Sequence, residues 1–391
     1  MISRNLRHLR AFLSVADSGT VSDAAKACGV SQPAVTQALR KLEEAAQGSL
    51  FHRASSGFFL TERGMVLARR VRRALYLLDP ALGEHSARLR LTATTAQLRA
   101  LIATGEAQNF TLAARNLGLA QPTVHRAVTQ LEQEASRPLF ERSAFGMVPS
   151  KSCQALIRAA RLAFVELEQA DAELADLDGR EAGRITIGAL PLSRSAVLPQ
   201  ALVRFRHLRP TTRLHIIDGP YDALLAGLRR GDIDFMFGAL RDPCPIDDVE
   251  QQALFDDRLC ILCGPDHAMA GESRPDPRAL AQAQWVVPRA DTPARVQFDA
   301  FFAQLGLAPP ASIIEAGSVL LMREILACSD HLGCISAQQA RAEVAKGLLR
   351  EVPVDHIWPG RPIGLTFRAG WEPTTAQALL VQLVREAAAQ V

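Results

Sequence analysis

Long hydrophobic runs are missing from this 391-residue sequence: charged residues interrupt every apolar stretch well short of the ~18–20 residues a membrane helix needs. Met1 to Arg7 hold no apolar core and no small-residue cleavage site, so export is not expected. Cysteine is sparse and odd in number, seven scattered along the chain, which argues for a reduced cytoplasm rather than a disulfide scaffold. The phosphate-binding run Gly-x-x-x-x-Gly-Lys is absent, and no Ser or Cys has a nucleophile-elbow setting, so no enzymatic activity and no cofactor are expected. Cys260 and Cys263 imitate a metal pair. On a strand, however, residues three apart point to opposite faces, and no second pair or histidine lies at ligand spacing. Both read as core thiols, and His267 reads as a turn residue rather than a base.

An excess of charge is also lacking, with 44 Lys and Arg against 41 Asp and Glu and a net of +3. That near-neutrality hides a division along the chain. Residues 1–95 carry 14 basic and 7 acidic side chains, a net of +7; residues 96–180 carry 9 and 10, and residues 181–391 carry 21 and 24. A basic first quarter on a mildly acidic remainder points to one polyanion-binding module and a separate body. With 48% hydrophobic residues, extensive disorder is excluded, and the length suits two to four domains.

What the chain does contain is a repeat. At a shift of 89 residues and without a gap, Leu9-Arg10-Ala11 recurs as Leu98-Arg99-Ala100, Ala24-Ala25 as Ala113-Ala114, and Gly29 as Gly118. Gln32-Pro33 recurs as Gln121-Pro122, Leu42-Glu43 as Leu131-Glu132, and Leu50-Phe51 as Leu139-Phe140. Each copy reads as a helix-turn-helix. Thr20 starts a helix carrying paired alanines, Gly29 supplies a turn with positive φ, and Ser31 with Pro33 opens the next helix. Val35, Ala38, Leu39 and Leu42 would face inward, leaving Gln32, Pro33, Thr36, Gln37 and Arg40 on the outer side. Amide, hydroxyl and guanidinium groups there suit the reading of base edges in a major groove. Residues 51–61 read as a hairpin wing, placing Arg53 beside a phosphate backbone. A purely structural three-helix bundle would explain any one of these features, but not the ordered set present twice.

These residues resemble the DNA-binding domain of LysR-type transcriptional regulators. The resemblance rests on Ala24-Ala25, Ser31-Gln32-Pro33-Ala34-Val35, Leu42-Glu43, Leu50-Phe51-His52-Arg53 and Leu60-Thr61-Glu62-Arg63-Gly64. Family members generally carry one such domain. Two copies resemble a tandem-domain subgroup that includes regulators of a galactose-binding protein. The second copy departs from the pattern, with Ala120 in place of Ser31 and Pro149-Ser150-Lys151-Ser152-Cys153 in place of Leu60 to Gly64. Its outward face would comprise Thr123, His125, Arg126, Thr129 and Gln130, with Arg142 on its wing. Residues 96–150 hold five Arg and four Glu, so phosphate attraction is weaker there. Either this copy contacts DNA, or it is a dimer-forming or structural relic.

Between the copies, Leu67, Val71, Ala74 and Leu78 define an apolar helix face opposite Arg69, Arg70, Arg72 and Arg73. Pro80 and Gly83 are expected to close that helix, and its basic face is expected to be solvated or to graze phosphate. After the second copy, Leu156, Ala160, Ala163, Leu167, Ala170, Leu174 and Leu177 alternate at spacings of four and three. Such a seam pairs with another chain or another helix, or packs on the chain's own domain. The family's linker helix pairs two protomers, so the resemblance implies a homodimer or homotetramer.

From Gly183 onward strands alternate with helices, as in a parallel-sheet α/β body of two lobes. Gly231-Asp232-Ile233-Asp234-Phe235 and Gly264-Pro265-Asp266-His267 resemble the effector domain of the same family, which is similar to a periplasmic binding protein. Ligands of open α/β sheets sit beyond the strand carboxyl ends. The candidate effector residues there are Ser193, Arg194, Ser195, Thr292, Arg295, Ser318 and Ser336, although each Ser or Thr also suits an ordinary helix cap. The expected fold is therefore α/β overall. Two N-terminal all-α winged helix-turn-helix domains (residues 4–64 and 96–150) flank a helix and connector (65–95). A linker or dimerisation helix (151–180) and a bilobal α/β effector domain (181–391) follow. The expected function is a cytoplasmic, ligand-responsive regulator. Its partners would be double-stranded DNA and a small effector, a sugar or an aromatic or other organic acid, with no membrane. The alternative is an enzyme or solute binder with an attached helix-turn-helix.

Overall fold

In the computed structural model, residues 5–391 are described except 56, 144–145, 192–195, 272–273, 291 and 357. The chain divides into two units, Met1–Gly183 and Arg184–Val391.

The first unit opens with α1 (Leu6–Ser18), α2 (Val21–Cys28) and α3 (Gln32–Ala46), followed by the wing strands β1 (Phe51–Ala54) and β2 (Gly57–Leu60). Local chemistry sets each boundary. The Thr20 hydroxyl accepts from the Asp23 amide at 3.1 Å, Gly29 closes α2 at φ 65°, and Ser31 accepts from the Ala34 amide at 3.4 Å. Helix α4 (Glu62–His85) and the short α5 (Leu89–Thr92) lead to α6 (Thr95–Ala107), α7 (Phe110–Leu117) and α8 (Gln121–Ala135). The second wing, β3 (Phe140–Ser143) and β4 (Gly146–Pro149), runs into α9 (Lys151–Leu177). Every boundary from α1 to β2 recurs 89 residues later, and α9 begins where the shift places the start of α4.

Helix α4 does not end at Pro80 as the sequence suggests; it continues through Pro80 and Gly83 to His85. Proline removes the amide that the Tyr76 carbonyl would accept from, but Tyr76 is 80% exposed, so water can serve that carbonyl. Packing holds the turn together: Leu78 and Leu82 are fully buried, and Asp79 takes both guanidinium nitrogens of Arg10, at 2.5 and 2.8 Å.

The second unit contains two five-stranded sheets. The first, ordered β6-β5-β7-β14-β8, comprises β5 (Arg184–Ala189), β6 (Arg213–Asp218), β7 (Phe235–Ala239), β8 (Val249–Asp257) and β14 (Arg361–Arg368). The second, ordered β11-β10-β12-β9-β13, comprises β9 (Leu259–Cys263), β10 (Gln284–Val287), β11 (Ile313–Glu315), β12 (His331–Ser336) and β13 (Arg350–Val352). The chain crosses between sheets twice, from β8 to β9 and from β13 to β14, which makes the expected two lobes. Helices α10 (Val197–Leu208) and α16 (Thr375–Ala388) bury Phe205, Leu380 and Val384 on one face of the first sheet. Helix α11 (Tyr221–Arg230) covers the other with Leu224 and Leu228. The second sheet carries α12 (Pro277–Gln282), α13 (Pro293–Gln304), α14 (Val319–Ala327) and α15 (Ala337–Ala345). There Trp285 sits edge-on to Phe298 and Phe302 of α13 and donates its indole N–H to the Leu280 carbonyl at 2.9 Å.

Strand β9 settles the cysteine pair. Cys263 packs with Leu259 and Ile261 in one apolar cluster, and Cys260 packs with Leu262 in another, on opposite faces of the sheet. Burial pushes both thiols up. His267 accepts from the Met269 amide at 3.0 Å within a turn.

Candidate nucleic-acid interface and effector domain

Helix α3 separates its two faces cleanly. Val35, Ala38, Leu39 and Leu42 are buried, whereas Gln32, Pro33, Thr36, Gln37 and Arg40 are all exposed. Gln32 donates to the Ser22 hydroxyl at 3.3 Å and Thr36 to the Gln32 carbonyl at 3.1 Å. Arg40 pairs with Glu44 at 2.8 Å, with both partners more than half exposed. Such surface pairs hold little energy, so the guanidinium exchanges readily onto another anion. On the wing, Arg53 is exposed, with its guanidinium over the Phe58 ring at 5.6 Å. The Glu43 carboxylate accepts from the Leu50 amide at 3.0 Å, fixing where the chain leaves α3 for the wing.

The second copy repeats this geometry. Glu132 accepts from the Leu139 amide at 2.9 Å, and the wing amide of Met147 donates to the Gln108 carbonyl as Phe58 does to Gly19, both at 2.9 Å. Thr123, His125 and Arg126 are exposed, and a shallow concavity runs between Gln121, His125, Arg126 and Gln130. His125 is steadied by an edge contact with Phe110 at 5.1 Å. Ala120 gives α8 no side-chain cap. The Arg142 side chain lies outside the described residues.

The four arginines of α4 are not a free basic face. Arg70 is fully buried and forms a two-pronged pair with Glu173 of α9, at 2.7 and 2.9 Å. It also donates to Glu166 at 2.9 Å and to Gln169 at 2.8 Å. Burial works against its charge, but the bonds from Glu173 and Glu166 outweigh it and hold its pKa above the usual arginine value. Arg69 and Arg73 join the same carboxylates, and Arg72 pairs with Asp17. The expectation of a solvated or phosphate-grazing face fails for Arg70 and Arg73, because sequence periodicity did not reveal the acidic helix that receives them; Arg69 and Arg72 stay half exposed. The α9 seam from Leu156 to Leu174 is buried in the same apolar core as Leu67, Val71 and Leu78. Of the expected partners for that seam, the structure supplies another helix of the same chain, α4.

The effector candidates are placed less directly. Ser193, Arg194 and Ser195 lie outside the described residues. Thr292, Ser318 and Ser336 stand at the carboxyl ends of β10, β11 and β12, and all three cap the following helices, accepting from Arg295, Leu321 and Gln339. Thr292 spends its own proton on the Arg289 carbonyl at 2.7 Å. Arg295 is held by Asp299 at 2.9 Å and Glu315 at 2.6 Å. Ser318 is exposed. Ser336, by contrast, is buried and donates to Asp257 at 2.8 Å; it is a structural residue at the lobe crossover and not an open ligand group. Asp257 ends β8 and also pairs with Arg361, the first residue of β14, so three buried groups tie together strands of both lobes. Sequence reasoning missed Asp257 and Arg361, which stand 104 residues apart and carry no periodic signal. A second tie runs from the Gln339 side-chain Nε2 to the Pro191 carbonyl at 3.1 Å.

Comparison with known proteins follows the same division. Residues 6–65 and again 95–154 match the family described as bacterial regulatory helix-turn-helix protein, lysR family, and residues 178–389 match the LysR substrate binding domain. The chain is 33% identical over 385 residues to the HTH-type transcriptional regulator GalR of Pseudomonas putida, covering 98% of this chain and 97% of that one. It is 26% identical over 269 residues to the regulator GbpR of Azospirillum brasilense, covering 68% of this chain and 79% of that one. Among solved structures, full-length OxyR from Pseudomonas aeruginosa superposes with a TM-score of 0.55 at 23% identity, over 75% of this chain and 98% of its own. CbnR gives 0.51 at 20%, with the same coverage. About a quarter of this chain therefore has no counterpart in either solved structure, whereas the Pseudomonas putida relative matches it end to end. Among the described residues no helix is long and apolar enough to cross a membrane.

Proposed function

The chain belongs to the LysR family of DNA-binding transcriptional regulators with an effector-binding domain, and on that premise we propose how its residues divide the work. Helix α3 enters the major groove of double-stranded DNA, with Gln32, Thr36, Gln37 and Arg40 meeting base edges and Pro33 holding the first turn close to the backbone. Arg53 follows a phosphate along the wing. The observation that carries this reading is the exposure of every polar group on that face over a fully buried apolar one. The protein works in the cytoplasm as a homodimer or homotetramer, without catalysis. Its effector is a small metabolite, a sugar or an aromatic or other organic acid, bound at the strand carboxyl ends. The exposed Ser318 at the start of α14 favours a carboxylate or a polarised hydroxyl at that end.

Gel-shift titration of full-length protein on its promoter fragment tests the DNA half of the reading. Gln37→Ala is expected to weaken binding about ten-fold or more, and unchanged affinity would remove α3 from the interface. Thermal-shift screening of sugars and organic acids tests the effector half, through a rise in the melting temperature of the second unit.

A further inference from the structure

We infer that one chain is by itself a pseudo-dimer on DNA, in which the two winged modules are related by an approximate two-fold axis through the α4–α9 pair and engage two inverted, non-identical half-sites. The inference rests on the DNA-reading role proposed above for α3 and extends it to α8.

The symmetry is visible in the register. Helices α4 and α9 are equivalent under the 89-residue shift and lie antiparallel, with Arg63 near the Leu174 end and His85 near the Ser152 end. A two-fold axis between shifted copies converts a contact between residues x and y into one between y − 89 and x + 89. Applied to the bond from Arg63 to the Leu174 carbonyl, at 3.5 Å, it requires a contact between His85 and Ser152. That contact is present, from the His85 ring to the Ser152 carbonyl at 3.3 Å. Each module is then fastened to its own helix in the same way. Arg72 pairs with Asp17 in the first copy, and Arg161 pairs with Glu106, the residues 89 positions on, in the second. The Thr61 hydroxyl caps α4 on the Gly64 amide at 3.0 Å, and Ser150 caps α9 on the Cys153 amide at 3.2 Å. Equal fastening on antiparallel equivalent helices presents α3 and α8 in inverted orientation, the arrangement that matches two inverted half-sites.

Side-chain charges make the pairing heterotypic. Arg70 has two carboxylates in α9, Glu166 and Glu173. In an α4–α4 pair of the same register those places would be Leu77 and Glu84, so Arg70 would lose one of them. In an α9–α9 pair, Glu166 would face Ala159 and Leu162 in place of Arg70 and Arg73, and would be buried with no cation. The seam is therefore built to close within the tandem rather than between identical helices. The two reading faces also differ, Gln32, Thr36, Gln37 and Arg40 against Gln121, His125, Arg126 and Thr129, so the two half-sites should differ in sequence.

Hydroxyl-radical footprinting of the full-length protein on its promoter fragment, with the ratio of chains to DNA counted by native mass spectrometry, tests this. Two protected half-sites per chain are expected, spaced by about one helical turn of DNA, ~10–10.5 bp, or a multiple of it. Gln37→Ala should erase protection at one half-site, and Arg126→Ala should erase it at the other while lowering affinity about ten-fold. Both side chains are exposed, so neither change burdens folding. If Gln37→Ala abolishes binding while Arg126→Ala leaves footprint and affinity unchanged, the pseudo-dimer is overturned and the reading by α3 stands. One protected half-site per chain would overturn it as well. Indifference of the footprint to both substitutions would bring down the reading by α3 itself.

Discussion

Ser31 caps the recognition helix of the first winged module through the Ala34 amide, whereas Ala120, at the same place in the second, leaves α8 without a side-chain cap. The first module, residues 4–64, carries eight Lys and Arg against five Asp and Glu; residues 96–150, which hold the second, carry five Arg and four Glu. Yet α8 has the same length as α3, a buried apolar stripe at equivalent positions and the same link to its wing. The difference teaches that the fold of this module is specified by its apolar stripe, its turn glycine and the glutamate at the helix end, which the copies share apart from Val128 in place of Leu39. Charge and capping differ between the copies, so neither is needed for the fold.

The largest effect that bears on this comparison should come from the pair of helices that joins the modules. Arg70→Met would take from the buried carboxylates of Glu166 and Glu173 their one buried cation, leaving only Arg73 and Arg69, and a loss of about 3 kcal/mol from the first unit is expected in denaturant unfolding. A loss below about 1 kcal/mol would mean that the α4–α9 pair contributes little to joining the modules.

Telling the unfolding of the first unit from that of the second requires a label, and Asp234 provides one. Burial raises its pKa to about 6, against the partial opposition of its bond from the Thr186 amide at 2.7 Å. The folded protein therefore holds this proton at a pH where the unfolded chain has released it. The resulting stability is full below the ordinary carboxylate range and is lost as pH rises to about 6, a change of up to about 3 kcal/mol. Unfolding of the second unit followed between pH 4 and 7 should show this slope, and Asp234→Asn should flatten it without touching the transition of the first unit.

A matched pair of substitutions asks whether the two modules are equally built. Gly57 and Gly146 have φ of 130° and 123°, and a Cβ on either would come within 2.8 or 2.5 Å of the carbonyl oxygen of Gly19 or Gln108. Gly57→Ala and Gly146→Ala should each cost about 2 kcal/mol, by backbone strain and clash together. Strongly unequal losses in thermal melts would show that one wing is held more loosely than its twin. The smallest expected effect is the cap: Ser31→Ala should cost about 1 kcal/mol and Ala120→Ser should return a similar amount to the second module. If both changes are silent, capping does not separate the copies.

Much of the fold was legible because the signals are local. The Ala-Ala helix, Gly29, Ser31 with Pro33, and the outward set from Gln32 to Arg40 all follow from spacing within a dozen residues, the ungapped 89-residue repeat shows the pattern twice, and each element stands where the sequence put it. The strand positions of Cys260 and Cys263 were readable for the same reason. Long-range partnerships were not. Four arginines on one face of α4 look alike in sequence to a solvated surface and to one buried against an acidic helix 90 to 110 residues away. Pro80 was misread as a stop because its cost depends on whether water reaches the Tyr76 carbonyl. Ser336 resembles any cap until Asp257 and Arg361 are brought against it. In the effector domain the α/β alternation was plain, but the nine-residue strand β8 was not foreseen.

By itself, the sequence determined the module types, their order, the reading face of α3 and the weaker charge of the second copy. All of these depend on side chains a few positions apart, whose geometry a helix or turn fixes once formed. Only the tertiary structure decided that the linker helix meets its own chain's partner and that Arg70 is buried between Glu166 and Glu173. It likewise decided that Ser336 serves the lobe crossover instead of an open site. Those outcomes depend on which distant surfaces meet, and burial alone turns an ordinary surface charge into a costly one that demands a partner.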